Sequence, residues 1–456
     1  MSKTLQLPPA AHLKQALWLA MDAVRTQPGD VSRIEIEIKE SVDLLSWLVA
    51  QPRGKRMYWC GRDGQLELAG WGVAHHVDDT GDLAGAVETI MTSVQGKPYR
   101  YMGGVAFDPN QASEGPWDSF GCWAFFLPRL SLEQTPKTTT LAIHLRPGEP
   151  AVDFSGVSSD VCTQFTPLVS LTAPTHHPNQ LAWTPMAQRA IDAIRGGEIK
   201  KVVLARQTTI SLDEIVDPIA VLKRLASKQD QTYRFAFELE PNHAFIGCSP
   251  EQLFRRDERH IQTEAMAGTR RRGENPAEDA AFCEALTNSA KDICEHDHVV
   301  ADIQSHMAPL CRSLKRSSQP TIRQFLRVQH LCTTFSGELK SGINESNLLE
   351  TLHPTPAVCG RPTATAKAFI GHHEPFYRGW YAGPVGWIGD DCSEFAVGIR
   401  SALIDPDSIR ICAGAGLVSA SRPLAEWREI NDKSQQFLDL TDQSNMCSSD
   451  DVLESA

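Results

Sequence analysis

The run "KKVVLARQTTI", Lys200 to Ile210, constrains the fold more than any other stretch of the chain. Its centre, Val202 to Ala205, is short, β-branched at the start and uninterrupted, the pattern of a strand covered on both faces. The residues before it, "WTPMAQRAIDAIRGG", read as a helix. Thr184 is a candidate cap and Pro185 suits a first turn; Ala190, Ile191 and Ile194 form an apolar stripe that the Gly196–Gly197 pair ends. A buried strand that opens on two lysines can leave one of them in water. The other turns toward whatever covers the sheet, as an ion-pair partner or as a reactive amine.

Other strand-like runs come in groups with helical segments between them. "RMYWCG" and "CWAFFLPRL" precede a proline-rich polar loop, "LTAPTHHPNQ", at 171–180. "RFAFELE", "HAFIGCSP", a helical stretch from about Pro276 to Leu310, "SEFAVGIRSALI" and "IRICAGAGLV" follow it. This is an α+β or mixed α/β pattern with at least one extensive sheet. Pattern alone leaves open whether the loop separates two domains. The 56 acidic residues exceed the 44 basic ones, giving −12, and no long basic run occurs. That argues against a nucleic-acid or anionic-membrane surface, and an anionic small substrate would need local arginines, lysines or a metal. The first 27 residues read as an amphipathic surface helix rather than a signal peptide, and no window is apolar enough to span a bilayer. The 12 cysteines are scattered without C-x-x-C pairs, as expected of free thiols in a reducing cytoplasm.

Two acidic clusters carry potential chemistry. In "KDICEHDHVVADI", His296 and His298 are two apart and point to different sides of a helix, which rules out the helical zinc motif with its i, i+4 histidines. Glu295 reads as a salt-bridge partner of Lys291 or as a ligand. In "SASRPLAEWREINDK", Ser421 is a candidate cap, Pro423 falls in the first turn, and Glu426 and Glu429 share a face. Carboxylates from two helices, meeting water and substrate oxygens, are what an octahedral Mg²⁺ site requires, and a solvated acidic face is the plainer reading. Strand alternation in "EFAVGIRSALI" puts Ala396, Gly398, Arg400 and Ala402 on one face, leaving room above Arg400 for a bidentate carboxylate contact or a structural ion pair. The "AGAG" of Ala413 to Gly416 would let a ligand approach the backbone.

Taken together and in order, "KVVLAR", "GCSPEQLF", "TEAMAGTRRRG", "KDICEHDHVV", "QHLCTTFSGEL", "LHPTPAVCG", "FYRGWYAGPVG", "GIRSALI", "AGAGLV" and "EWREINDK" resemble the chorismate-utilising enzymes from about Trp183 to Lys433. Within that family "LHPTPAVCGRP" is similar to the isochorismate synthase form rather than the amino-transferring form. The resemblance implies an α+β fold, a single large domain of two broad sheets packed face to face and wrapped by helices. It implies a variable N-terminal part at 1–175, the chorismate-binding region at 176–445 and a disordered tail at 446–456.

The resemblance also implies roles. Water would attack C2 of chorismate with loss of the C4 hydroxyl, with Lys201 as general base, needing a lowered pKa, and Lys200 as its solvated neighbour. Glu251 would be the general acid, kept protonated by apolar surroundings such as Leu253, Phe254 and Phe245; without the resemblance it reads as a helix-start acid after Pro250. Glu295 and Glu429 would hold Mg²⁺, with Glu426 and Asp292 on its waters. Arg400 and Tyr381 would hold the other carboxylate end, and Thr269, His330, Gly414 and Gly416 would line the pocket, although His330 also fits a packed structural histidine. A cytoplasmic monomer is expected. Salicylate or amino-transferring chemistry, and a catalytically dead chorismate binder, remain as alternatives, and both menaquinone and siderophore pathways fit.

Overall fold

The Lys201–Ser211 strand has neighbours on both edges and packed cores against it, and Val202 to Ala205 are buried. The computed structural model describes residues 3–26, 31–146, 153–154, 156–162, 168–169, 173–326 and 328–442, without the side chains of 168, 169, 291, 295, 441 and 442. The expected tail at 446–456 lies outside them.

The preceding helix spans Gln180–Arg195 and begins a turn before Thr184. Asn179 takes the cap, accepting from the Ala182 amide, so Pro185 falls inside the helix, and the Thr184 hydroxyl donates instead to the Gln180 carbonyl at 3.0 Å. The chain turns out of the helix at Gly196, with Gly197 at φ +84°. At the N-terminus Leu13–Thr26 forms the expected amphipathic helix, burying Leu13, Ala16, Leu17, Ala20 and Ala23, but Lys3–Gln6 before it is a strand parallel to Val31–Ile38.

The N-terminal part supplies strands β1 (Arg56–Cys60), β2 (Glu67–Asp78), β3 (Tyr101–Val105) and β4 (Trp123–Gln134). The rest supplies β5 (Lys201–Ser211), β6 (Tyr233–Glu240), β7 (His243–Ser249), β8 (Gln252–Asp257), β9 (His260–Arg271), β10 (Val328–Leu339), β11 (Pro384–Ile388), β12 (Cys392–Val397), β13 (Ser401–Asp405) and β14 (Ser408–Leu417). Hydrogen bonding joins 21 strands of the described residues into one network. It divides into two wings that share β4. The first runs β4-β2-β1-β6-β7-β13-β14-β5, and the second β4-β3-β11-β12-β8-β9-β10, antiparallel throughout.

The wings face each other across an apolar layer. Met57, Phe235, Phe245 and Leu403 of the first pack into one cluster with Met102, Val385, Trp387 and Ala396 of the second. Side chains of this size contribute about 1.5–3 kcal/mol each on full burial. Because β1 pairs with β6 and β3 with β11, the N-terminal part is woven into both wings. The loop at 171–180 therefore separates nothing; Thr175–His177 within it adds to the edge of β5.

Two expected elements are broken. The helical stretch from about Pro276 is two helices, Pro276–Thr287 and α1 (Ala290–Met307), because Ser289 between them caps the second and accepts from the Asp292 amide. "SEFAVGIRSALI" is two strands, β12 and β13, which belong to different wings, with Arg400 between them in the left-handed region at φ +52°. The single-strand alternation that aligned Ala396, Gly398, Arg400 and Ala402 does not survive this crossing.

Candidate active site

The chain crosses between the wings at Pro250–Glu251, between β7 and β8, and again at Gly398–Arg400. The crossings are tied together: the Ser249 hydroxyl donates to the Val397 carbonyl at 2.6 Å, and the Val397 amide to the Glu251 carbonyl at 3.1 Å. Glu251 and Arg400 are thus aimed into the space between the far ends of the two wings. A cavity of about 200 Å³ lies there, also lined by β5, β14, β9, β10, α1 and α2 (Pro423–Leu438).

One wall is β5 against β14. Val203 pairs with Gly416 and Ala205 with Gly414, so Lys201 and Val203 share a face with both glycines, and the four residues Lys201, Val203, Gly414 and Gly416 line the cavity. Lys200 is exposed, so the lysine directed inward is Lys201. A Cβ at Gly414 would come within 3.2 Å of the Tyr381 hydroxyl, so that position is reserved for backbone. Tyr381 is buried on the cavity, and burial pushes its phenol above the ordinary range.

The opposite wall is β9 against β10. A bulge at Gly268, φ +75°, shifts the register and sets Thr269 opposite His330, whose Nδ1 lies 2.9 Å from the threonine hydroxyl. Burial, with Arg400 and Lys433 nearby, drops the His330 pKa to about 3, so this imidazole is neutral. A Cβ at Gly268 would meet that of Asp292 at 3.2 Å, which is how closely α1 packs on the bulge. Asp292 is buried and held by Arg270 at 2.5 Å. Glu295 is one turn further along α1; its side chain lies outside those described.

Helix α2 presents Glu426, Glu429 and Lys433 to the cavity. Pro423 opens it as expected, but the cap position is Arg422 and makes no side-chain bond; the Ser421 hydroxyl instead accepts from the Val418 amide. Lys433 bridges Glu429 at 2.7 Å and the Gly414 carbonyl at 2.8 Å, and this cation holds Glu429 below the usual carboxylate range. Arg400 is half-buried, donating to the Lys433 carbonyl at 3.2 Å, and desolvation lowers its pKa.

Glu251 sits between two strands, not at a helix start, and is buried. Its pKa is raised to about 7 by burial first and then by the carboxylate of Glu264, against the Thr355 hydroxyl at 3.4 Å and the charges of Lys201 and Lys433. Burial, the cause expected, comes first, and the carboxylate of Glu264 adds to it.

All the expected lining residues are brought together with Glu429, Glu426 and Asp292. Lys433 and Arg270 were missed; each had a signal, Lys433 at i+4 from Glu429 and Arg270 in the "TRRRG" run. The lining carboxylates Asp292, Glu426 and Glu429 come from two helices, and such oxygen donors fit a hard divalent cation that keeps water and substrate ligands. Among the described residues no group of three or more His, Cys, Asp or Glu side chains converges closely enough to hold a metal ion by itself.

The family described as "Chorismate binding enzyme" matches residues 17–441, and the chain belongs to it. It is 32% identical to isochorismate synthase MenF of Haemophilus influenzae, over 90% of this chain and 92% of that protein. It is 34% identical to the salicylate biosynthesis isochorismate synthase of Pseudomonas aeruginosa, over 72% and 71%. The solved structure of MenF, the menaquinone-specific isochorismate synthase from Escherichia coli, superposes with a TM-score of 0.81 at 28% identity, covering 93% of this chain and 100% of that one. Among the described residues no helix is long and apolar enough to cross a membrane.

Proposed function

We propose that the protein is a Mg²⁺-dependent isochorismate synthase that interconverts chorismate and isochorismate. The observation that carries this reading is the pairing, in one cavity, of a lysine on the first wing with a buried glutamic acid whose pKa is near 7. An acid with that value is about half protonated at neutral pH, so it can both hold a proton and give it up.

The substrate is a dianion, and Arg270, Arg400 and Lys433 supply the positive lining it needs. Arg400, fixed by its left-handed backbone, and the Tyr381 hydroxyl bind one carboxylate end. Lys201 removes a proton from the attacking water at C2. Glu251 protonates the departing C4 hydroxyl, which would otherwise leave as hydroxide. Neutral His330 and Thr269 bind ring oxygens without adding charge. Glu429 and Glu295, with Glu426 and Asp292 behind them, would hold Mg²⁺, which when bound neutralises the acids facing an anionic substrate. For Glu429 and Asp292 to reach the cation, their present partners Lys433 and Arg270 would have to release them.

The test is product analysis. With chorismate, Mg²⁺ and no ammonia, isochorismate should accumulate to an equilibrium mixture without pyruvate. Stoichiometric pyruvate would mark salicylate synthesis, and dependence on ammonia an amino-transferring enzyme. A cytoplasmic monomer belongs to the same reading.

A further inference from the structure

The segment carrying Glu251 is also held from behind the cavity. Arg62, in the turn after β1, donates from Nη1 to the Pro250 carbonyl at 2.9 Å and to Glu264 Oε1 at 2.5 Å, and from Nη2 to Glu264 Oε2 at 2.8 Å. The amide of Gln252 donates to the same Glu264 Oε1 at 3.2 Å. Both residues flanking the acid are therefore tied to one ion pair, whose side chains are 12% and 1% exposed.

A buried ion pair gives little net stability over a well-packed apolar pair. What it adds is direction and charge. The planar guanidinium meets both carboxylate oxygens and a carbonyl at once, and its face lies 5.3 Å from the Tyr233 ring. Glu264 has Arg323 as a second cation at 3.6 Å and the Cys332 thiol at 3.8 Å. We propose that Arg62 and Glu264 are a positioning pair for Glu251, fixing the backbone on both sides of the acid and setting the field in which its proton is held. The proposal rests on Glu251 being the general acid. The groups facing Glu251 are few in kind: Glu264 on β9 raises its pKa, whereas Lys201 on β5, Lys433 on α2 and the Thr355 hydroxyl lower it. Arg62 reaches from the N-terminal part of the chain, so that part completes the site and does more than cover it.

Three variants test this, each read by the pH profile of kcat and, independently of turnover, by how the stability difference between Glu251 and E251Q varies with pH in the same background. Glu264→Gln keeps the shape and the Gln252 contact but removes a negative charge, and should move the Glu251 titration down by about one pH unit. Arg62→Met removes the cation closest to Glu264, and should move it up by a similar amount. Arg62→Lys keeps the charge but cannot span two oxygens and a carbonyl. It should leave the titration near wild type while kcat falls about tenfold to a hundredfold at unchanged KM. Shifts of opposite sign in the first two variants, in both readouts, bear the proposal out. Shifts of one sign, or none in a folded protein, overturn it. If the stability readout shifts as expected and the kcat profile does not, the clamp stands and the assignment of Glu251 as general acid falls.

Discussion

Replacing Glu251 by glutamine separates the folding consequence of the acid from its catalytic use. Its pKa is raised from 4.5 to about 7 in the folded protein, chiefly by burial, so folding favours the protonated form. Below about pH 4.5 both states carry the proton and the residue has no effect. Between about 4.5 and 7 the unfolded chain ionises first, so stability falls as pH rises; above about 7 the whole difference is present. At about 1.4 kcal/mol per pH unit, a shift of this size amounts to about 3 kcal/mol. The glutamine side chain matches the neutral acid in shape and keeps an oxygen for the Thr355 hydroxyl. E251Q should therefore match wild type near pH 4.5, exceed it by about 3 kcal/mol near pH 8, and lose about 10²–10⁴-fold in kcat. Urea unfolding across that range, with no substrate, measures the difference between two otherwise identical chains. A difference that stays flat with pH, or a wild type that gains on E251Q as pH rises, would refute the burial account of this carboxyl.

The other expectations are quicker to state. Lys201→Ala should lose about 10²–10⁴-fold in turnover with thermal unfolding nearly unchanged, while exposed Lys200→Ala stays active; comparable activity in Lys201→Ala and wild type removes the proposed base. Chelation should stop turnover and Mg²⁺ restore it, and Glu429→Gln should raise the Mg²⁺ needed for half-maximal rate, since a hard cation loses a charged oxygen; full activity in excess chelator would show a solvated acidic face instead. Isochorismate supplied as substrate should regenerate chorismate, because the forward reaction exchanges one ring C–O bond for another; a product that does not convert back points to aromatisation.

Much of this protein was legible in one dimension. The buried character of Val202 to Ala205, the exposure of one lysine and the inward turn of the next, and the shared face of Glu426 and Glu429 follow from periods of two and of 3.6. Those periods are local, so they hold wherever the element is unbroken. Where they failed, a cap or a change of sheet intervened. Asn179 took the role expected of Thr184, Ser289 split a helix read as continuous, and the crossing at Arg400 turned one strand into two. What tertiary structure alone decided is the field around the acid. Arg62 lies 202 positions from Glu264, and nothing periodic connects them. Pairing of β1 with β6 and of β8 with β9 brings the two side chains behind Pro250, because strand pairing is set by burial over the whole sheet and not by neighbours along the chain. The sequence by itself determined which ionisable residues are present and which of them share a face; the pKa of Glu251 depends on a desolvated space and on a carboxylate from another strand, and neither exists until the two wings have closed on each other.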